Sequence, residues 1–385
     1  MKSAPGKTQK RHYKLRHRKN QFGKGRGEDV VLPPHYKYIN DLGEGNYGIV
    51  VKALNERTNN IVAIKYMPID GKVPDALYYA MRETEILVRY LQNPNCQPNL
   101  LCMYEHFANR GMTAIYIVTE FIDGIRLSDL VARSGIFLHQ NATELSEFWF
   151  MCVQLFTALE YIHYHGVAHR DLHVMNIILQ NDRMRIKIID FGLACAVASK
   201  DPTIACRDNE RSNVHFMAPE VIHGKLMNQS VVKYFLGSDI WALGMTLHYI
   251  VTNRYPINLP GTANGPLPQK MMHLFGTTWK ISNSQEFHFS AIKHMVAGML
   301  NFDPTLRPNA TALKGLAISK WKESLGVDTI TDADIKPMAH LWAAIPDIDM
   351  MEPRFHHVFS YNDVPAYEDS TSISTSMDES PDSYE

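Results

Sequence analysis

Short β-branched and aromatic runs mark the first third of the chain. Tyr36-Lys37-Tyr38-Ile39, Ile49-Val50-Val51, Ile61-Val62-Ala63-Ile64-Lys65 and Ile115-Tyr116-Ile117-Val118 each predict a strand. Between the third and fourth, Ala76 to Leu91 has apolar positions at helical spacing and predicts a helix bearing Glu83 and Glu85. Ile186-Lys187-Ile188-Ile189 predicts a further strand. The most apolar long stretch, Phe148 to Ile162, is interrupted by Gln154, Thr157 and Glu160, so no membrane span is expected. Gly261-Thr262-Ala263-Asn264-Gly265-Pro266 predicts a loop, and no internal repeat is visible.

Two features of these elements carry chemistry. Gly43-Glu44-Gly45-Asn46-Tyr47-Gly48 lies between the first two strands, and Ile49-Val50-Val51 continues it as strand. A dinucleotide fingerprint would run from its glycines into a helix, so this one predicts the turn of an antiparallel hairpin. Residues without Cβ let backbone N–H groups approach phosphates closely, although a plain structural hairpin has the same sequence. Lys65 then ends an apolar strand, where an ammonium is costly unless paired or free to reach water. Glu83 and Glu85 on the following helix are the available partners.

Composition adds a charge segregation. The 385 residues are 45% hydrophobic and 21% charged, which is globular, with room for two or three packed units. Net charge is −1, yet residues 1–29 hold ten Lys/Arg against Glu28 and Asp29, and residues 347–385 hold ten Asp/Glu against Arg354. A basic arm and an acidic, Ser-rich tail, both expected to be disordered, therefore flank a neutral body. Lys10-Arg11 and Arg16-His17-Arg18-Lys19 are compatible with a solvated leader, a nuclear-import signal or contact with a nucleic-acid backbone. No apolar run follows the arm, so a secretory signal is not expected and the expected location is nuclear, cytoplasmic or both. Cys96, Cys102, Cys152, Cys195 and Cys206 are scattered without a Cys-x-x-Cys pair, which fits a reducing compartment better than a disulfide framework or a zinc site.

The second half supplies further motifs. They are His169-Arg170-Asp171-Leu172-His173-Val174-Met175-Asn176, Asp190-Phe191-Gly192, Ala218-Pro219-Glu220, Asp239-Ile240-Trp241-Ala242-Leu243-Gly244 and Asp303-Pro304-Thr305-Leu306-Arg307-Pro308. With the glycine loop and the Val62-Ala63-Ile64-Lys65 strand, they resemble the protein-kinase superfamily in order and spacing over roughly residues 36–325. The resemblance implies an α+β bilobal fold. A small antiparallel-sheet lobe with one main helix would span 36–122, a larger mostly helical lobe 123–325, and a C-terminal extension 326–346.

It also implies ATP and Mg²⁺ as cofactors and protein substrates, with an activating subunit or upstream kinase possible. Asp171 would be the base that takes the substrate hydroxyl proton, and Asn176 and Asp190 the oxygen ligands for Mg²⁺. Lys65 would pair the α/β-phosphates and be oriented by Glu83, preferred over Glu85 from the Arg82-Glu83-Thr84-Glu85 pattern. Gly43, Glu44, Gly45, Asn46, Tyr47, Gly48 and Ile49 would cover the phosphates. Leu42, Val50 and Ala63 would roof the adenine, Ile178 would floor it, and Thr119, Glu120 and Ile122 would form the hinge, Thr119 gating the back pocket. Glu220 and Arg307 would form a buried ion pair, and Asp239 would hold the catalytic loop by its backbone.

Two positions depart from the pattern. His173 stands where serine/threonine kinases carry Lys, and a neutral imidazole offers a γ-phosphate less positive charge than an ammonium. Asn213 stands where they carry Thr. The expectation is a serine/threonine kinase of lowered, pH-sensitive activity. Dual-specificity or tyrosine kinases, and a weakly active scaffold, are the alternatives. Arg170 beside Asp171 suggests control by a phosphate on Ser199, Thr203 or Ser212, and Tyr47 either caps its loop or is a phosphosite.

Overall fold

The structure is a computed structural model. It describes residues 30–338 apart from 45–47, 70–75, 93–94, 135–141, 183–184, 208–212, 214–215, 254–288 and 336–337. The arm, the acidic tail, the loop at 261–266, Ser212 and the glycine-loop residues Gly45, Asn46 and Tyr47 lie outside the described residues.

Five antiparallel strands form the small lobe: β1 Tyr36–Glu44, β2 Ile49–Asn55, β3 Asn60–Pro68, β4 Met103–Ala108 and β5 Ala114–Glu120. Their order is β1-β2-β3-β5-β4. The predicted hairpin is present, with Gly43 opposite Val50 and Glu44 opposite Ile49. Gly48 has a steric reason, because a Cβ there would lie 2.0 Å from the Tyr66 carbonyl oxygen. Period-two alternation sorts β5 between two cores. Ala114, Tyr116 and Val118 join Val51, Val62 and Ile64 in a small outer cluster. Ile115 and Ile117 face the main core, beside α1 residues Ala80 and Ile86.

Helix α1 spans Ala76–Ile86 and continues as a π turn, Leu87–Leu91, so the predicted helix is present with its last turn widened. Strand β6 (Gly124–Arg126) follows β5, and α2 (Leu127–Ser134) and α3 (Ala142–Tyr164) lead into the large lobe. There, short strands β7 (Val167–Ala168), β8 (Ile177–Gln180), β9 (Ile186–Ile188) and β10 (Cys195–Ala196) carry the loops of the site. Helices α4 (Pro219–Met227), α5 (Phe235–Thr252), α6 (Ser290–Met299) and α7 (Ala310–Leu325) complete it.

Helix α3 is apolar because protein surrounds it. Phe148, Trp149, Leu155, Phe156 and Ile162 are all buried, and Phe150 stacks on Trp321 of α7 at 4.7 Å. Among the described residues no helix is long and apolar enough to cross a membrane. Asn309 caps α7 by accepting from the Ala312 N–H, and Gly326 ends it at φ 70°. The predicted Glu220–Arg307 pair is bidentate, with both N–O distances 2.7 Å, and Arg307 also donates to the carbonyls of Asn301 and Gly237.

The expectation of a chain without disulfides is corrected. Cys96 is bonded to Cys102 and Cys195 to Cys206, leaving Cys152 as a buried thiol. Spacing hid both pairs: residues six and eleven apart become neighbours only when the fold turns the chain back on itself, with Cα separations of 5.5 and 5.0 Å.

Candidate active site

Lys65 leaves β3 on the face opposite Val62 and Ile64 and enters the cleft between the lobes. Its Nζ lies 2.7 Å from Glu83 Oε2 on α1 and 3.3 Å from Asp190 Oδ1. Burial opposes the ammonium, but the Asp190 and Glu83 carboxylates outweigh it and hold Lys65 above the ordinary lysine value. Lys65 in turn holds Asp190 below the usual carboxylate range, while burial pushes the Glu83 carboxyl up. Glu85 is not part of this contact and pairs instead with Arg89, one helical turn on.

Asp190 adopts φ 63° and Arg170 φ 66°, left-handed conformations that cost a non-glycine residue about 1–3 kcal/mol. Their surroundings impose them. Asp190 Oδ1 accepts the Gly192 N–H, and Phe191 is buried against the His169 ring, centroids 4.8 Å apart. The Arg170 N–H donates to Asp239 Oδ1 at 2.7 Å, and the His169 N–H to Oδ2 at 2.8 Å. Asp239 thus bonds the catalytic-loop backbone as expected. His163 Nε2 joins it at 3.1 Å, a contact the sequence reading did not foresee. His169 is buried, which lowers its pKa and favours the neutral ring. Its Nδ1 accepts the Asp171 N–H, leaving an Nε2–H to donate to the Ile189 carbonyl.

Asn176 Nδ2 donates to the Asp171 carbonyl at 2.9 Å and to its Oδ2 at 3.1 Å. His173 turns to the same carboxylate, with Nε2 3.3 Å from Oδ2. The Met175 N–H donates to His173 Nδ1, so a neutral ring carries its proton on Nε2, facing Asp171. The imidazole is buried and packs against Phe216, centroids 5.3 Å apart. Asn213 and Phe216 line a cavity beside Asp171, together with Met217, Val221 and Phe235.

The donor set fits Mg²⁺. With its Nδ2 committed to Asp171, Asn176 keeps an amide oxygen, and Asp190 keeps Oδ2 beyond the contacts of Oδ1. Among the described residues no group of three His, Cys, Asp or Glu could hold a metal. One carboxylate and one amide oxygen suit a cation that takes its remaining ligands from phosphates and water.

For the nucleotide, Leu42 on β1, Val50 on β2 and Ala63 on β3 share the sheet, Ala63 lying opposite Thr119 and Val50 opposite Lys65. Ile178 on β8 lies opposite Arg126 on β6, directly after the hinge segment containing Ile122. The Glu120 N–H is spent on the Cys102 carbonyl, so of its backbone only the carbonyl is left for an adenine. Its side chain contacts Lys187 Nζ at 2.5 Å and accepts the Cys102 N–H at 2.8 Å. The sequence reading missed Lys187, although the signal was the one that singled out Lys65: a lysine inside an apolar strand needs a partner.

The protein kinase domain family model matches residues 36–316. The serine/threonine-protein kinase Nek8 of Danio rerio is 27% identical over 318 residues, 82% of this chain and 39% of that protein. Ribosomal protein S6 kinase alpha-3 of Homo sapiens is 28% identical over 286 residues, covering 71% and 34%. Serine/threonine-protein kinase SIK2 of Gallus gallus is 28% identical over 290 residues, covering 75% and 32%. The chain therefore spans about a third to two-fifths of the length of these relatives. With the lysine–glutamate pair, the Asp171–Asn176 loop and Asp190 in one cleft, and the family match running through both lobes, the chain belongs to the protein kinase family.

Proposed function

We propose that the chain is an ATP-dependent protein kinase that transfers the γ-phosphate to serine or threonine hydroxyls of proteins. The observation that carries this reading is Lys65 Nζ within 3.3 Å of both Glu83 and Asp190, beside an Asp171 braced by Asn176. Phosphoryl transfer asks the protein mainly for positioning and charge neutralisation.

Lys65 would draw the α/β-phosphates onto its ammonium, and Glu83 would fix where that ammonium sits. Gly43 and Gly48, at either end of the loop, would let backbone N–H groups close over the phosphates. Asp190 and Asn176 would hold Mg²⁺, which when bound offsets phosphate charge. Asp171 would orient the substrate hydroxyl and take its proton, with Asn176 holding the carboxylate in place. His173 would donate from Nε2 to Asp171, so the side chain standing where other serine/threonine kinases carry Lys is turned to the catalytic carboxylate. Serine/threonine specificity is supported by two of the named relatives, Nek8 and SIK2, both serine/threonine-protein kinases.

Phosphotransfer from Mg²⁺-ATP to a mixed peptide library, with phosphoamino-acid analysis, tests the reading beside Asp171→Asn. Phosphoserine or phosphothreonine that disappears in the variant is the expected result. Phosphotyrosine alone, or transfer that survives in Asp171→Asn, overturns it. For location, the proposal is nucleus or cytoplasm, supported by Arg16-His17-Arg18-Lys19, and imaging of the tagged chain with and without residues 1–29 tests it.

A further inference from the structure

We propose that Cys195 and Cys206 form a redox modification site, taking a low-molecular-weight disulfide of the glutathione type, whose closed form latches the active arrangement of Lys65 and Glu83. The inference rests on the kinase reading and concerns the regulation of the same site.

Cys195 sits on β10, opposite Ala168 of β7, and Ala168 leads directly into His169-Arg170-Asp171. Its sulfur is fully buried and lies 4.0 Å from Arg170 Nη1. Cys206 is partly exposed. Their bond closes a loop already drawn together by the Ala196 N–H to Ile204 carbonyl bond and by an Ala196–Ala205 bridge.

This loop and its flanks grip α1. Ala194, just before Cys195, accepts from Arg82 Nε at 2.6 Å, and Arg82 neighbours Glu83. Asp201, inside the loop, contacts Arg89 at 3.4 Å. Arg207, just after Cys206, places its guanidinium 4.0 Å from the centre of the Tyr78 ring. The outer contacts are exposed and individually weak. Closing the loop covalently removes more conformational freedom than any of them restores, so the disulfide is the strong member of the set. Reduction would free the loop, loosen its hold on α1 and let Glu83 leave Lys65.

The chemistry balances with an oxidised glutathione-type disulfide. The Cys206 thiolate, the accessible one, attacks one sulfur of the small disulfide, whose S–S bond breaks and releases one small thiol. The Cys195 thiolate then attacks the Cys206 sulfur, forming the internal bond and releasing the second small thiol. Two protein thiols are oxidised and one small disulfide is reduced, and the two departing thiols carry away the two protons. Arg170 Nη1, 4.0 Å from Cys195 Sγ, places a cation beside the sulfur that attacks in the second step. In a reducing compartment such a bond is characteristically a transient, sensing one.

The test equilibrates the dephosphorylated full chain across a series of reduced-to-oxidised glutathione ratios. Peptide phosphorylation, hydrogen exchange of 76–91 and 195–207, and the 195–206 bond by mass spectrometry are read on the same samples. The expected result is one two-electron transition shared by all three, with activity roughly tenfold or more lower in the reduced state. Re-oxidation should restore it. Cys206→Ser should stay at the reduced level at every ratio, and Cys96→Ser should keep the transition. Activity or exchange that stays flat while the bond opens, activity that rises on reduction, or Cys206→Ser at the oxidised level overturns the proposal. A chain that phosphorylates nothing at any ratio refutes the kinase reading, and the exchange data still decide the latch.

Discussion

Replacing Glu83 by Gln keeps the size of the side chain and an oxygen for Lys65 but removes the charge. In the structure Lys65 Nζ is shared unequally, 2.7 Å from Glu83 and 3.3 Å from Asp190. Without the Glu83 charge the ammonium shifts toward Asp190 Oδ1, away from the α/β-phosphates. A hydrogen bond to a charged partner is worth about 1.5–3 kcal/mol. If that difference is felt in the transition state, kcat/KM falls by roughly 10- to 150-fold. Steady-state kinetics with varied ATP measures it, and Glu85→Gln is the control. Glu85 makes only a partly exposed contact with Arg89, of a kind worth about 0.2–0.5 kcal/mol, so its loss should leave kcat/KM within about twofold. Equal effects of the two substitutions, or a Glu83→Gln enzyme at full rate, would refute the assignment of Lys65 and Glu83 as the working pair.

Three further outcomes are expected. Arg307→Met strands the Glu220 carboxylate and two carbonyls, and should cost about 3–5 kcal/mol in denaturant unfolding, with Glu220→Gln non-additive in the double variant; additive losses would mean the two do not act as a pair. His173→Lys should raise kcat by about tenfold by returning a charge-assisted contact to the γ-phosphate, and an unchanged turnover and pH profile sinks that idea. Burial lowers the His169 pKa, so the unfolded chain binds the extra proton first. Stability should therefore fall as pH drops below about 6.5 and level off below the folded value, and the wild-type minus His169→Gln difference should show that slope.

Much of the site was legible along the chain because its chemistry is local. The glycine hairpin and the strand lysine were readable from the residues themselves, and Asp171, Asn176 and Asp190 from short motifs that resemble those of protein kinases. The Glu83 assignment followed from the resemblance of Arg82-Glu83-Thr84-Glu85 to the kinase helix pattern, and the structure bears it out, with Glu83 on Lys65 and Glu85 on Arg89. His173 was visible as a departure, but its contact with Asp171 was not, since ring orientation depends on the Met175 N–H and on Phe216.

Strands β1, β2, β3, β5 and β9, helix α1, the charge segregation and the family motifs were legible in the sequence alone, because period, propensity and spacing act over a few residues. Tertiary structure decided whatever depends on residues distant in the chain. It widened the end of α1 into a π turn, tied Lys187 to Glu120 behind the hinge, and brought His163 to Asp239. It also joined Cys195 to Cys206 across a loop that then lies against α1. Such contacts have no signature in spacing: each forms only after the entropy of bringing its segments together has been offset by burial elsewhere in the fold.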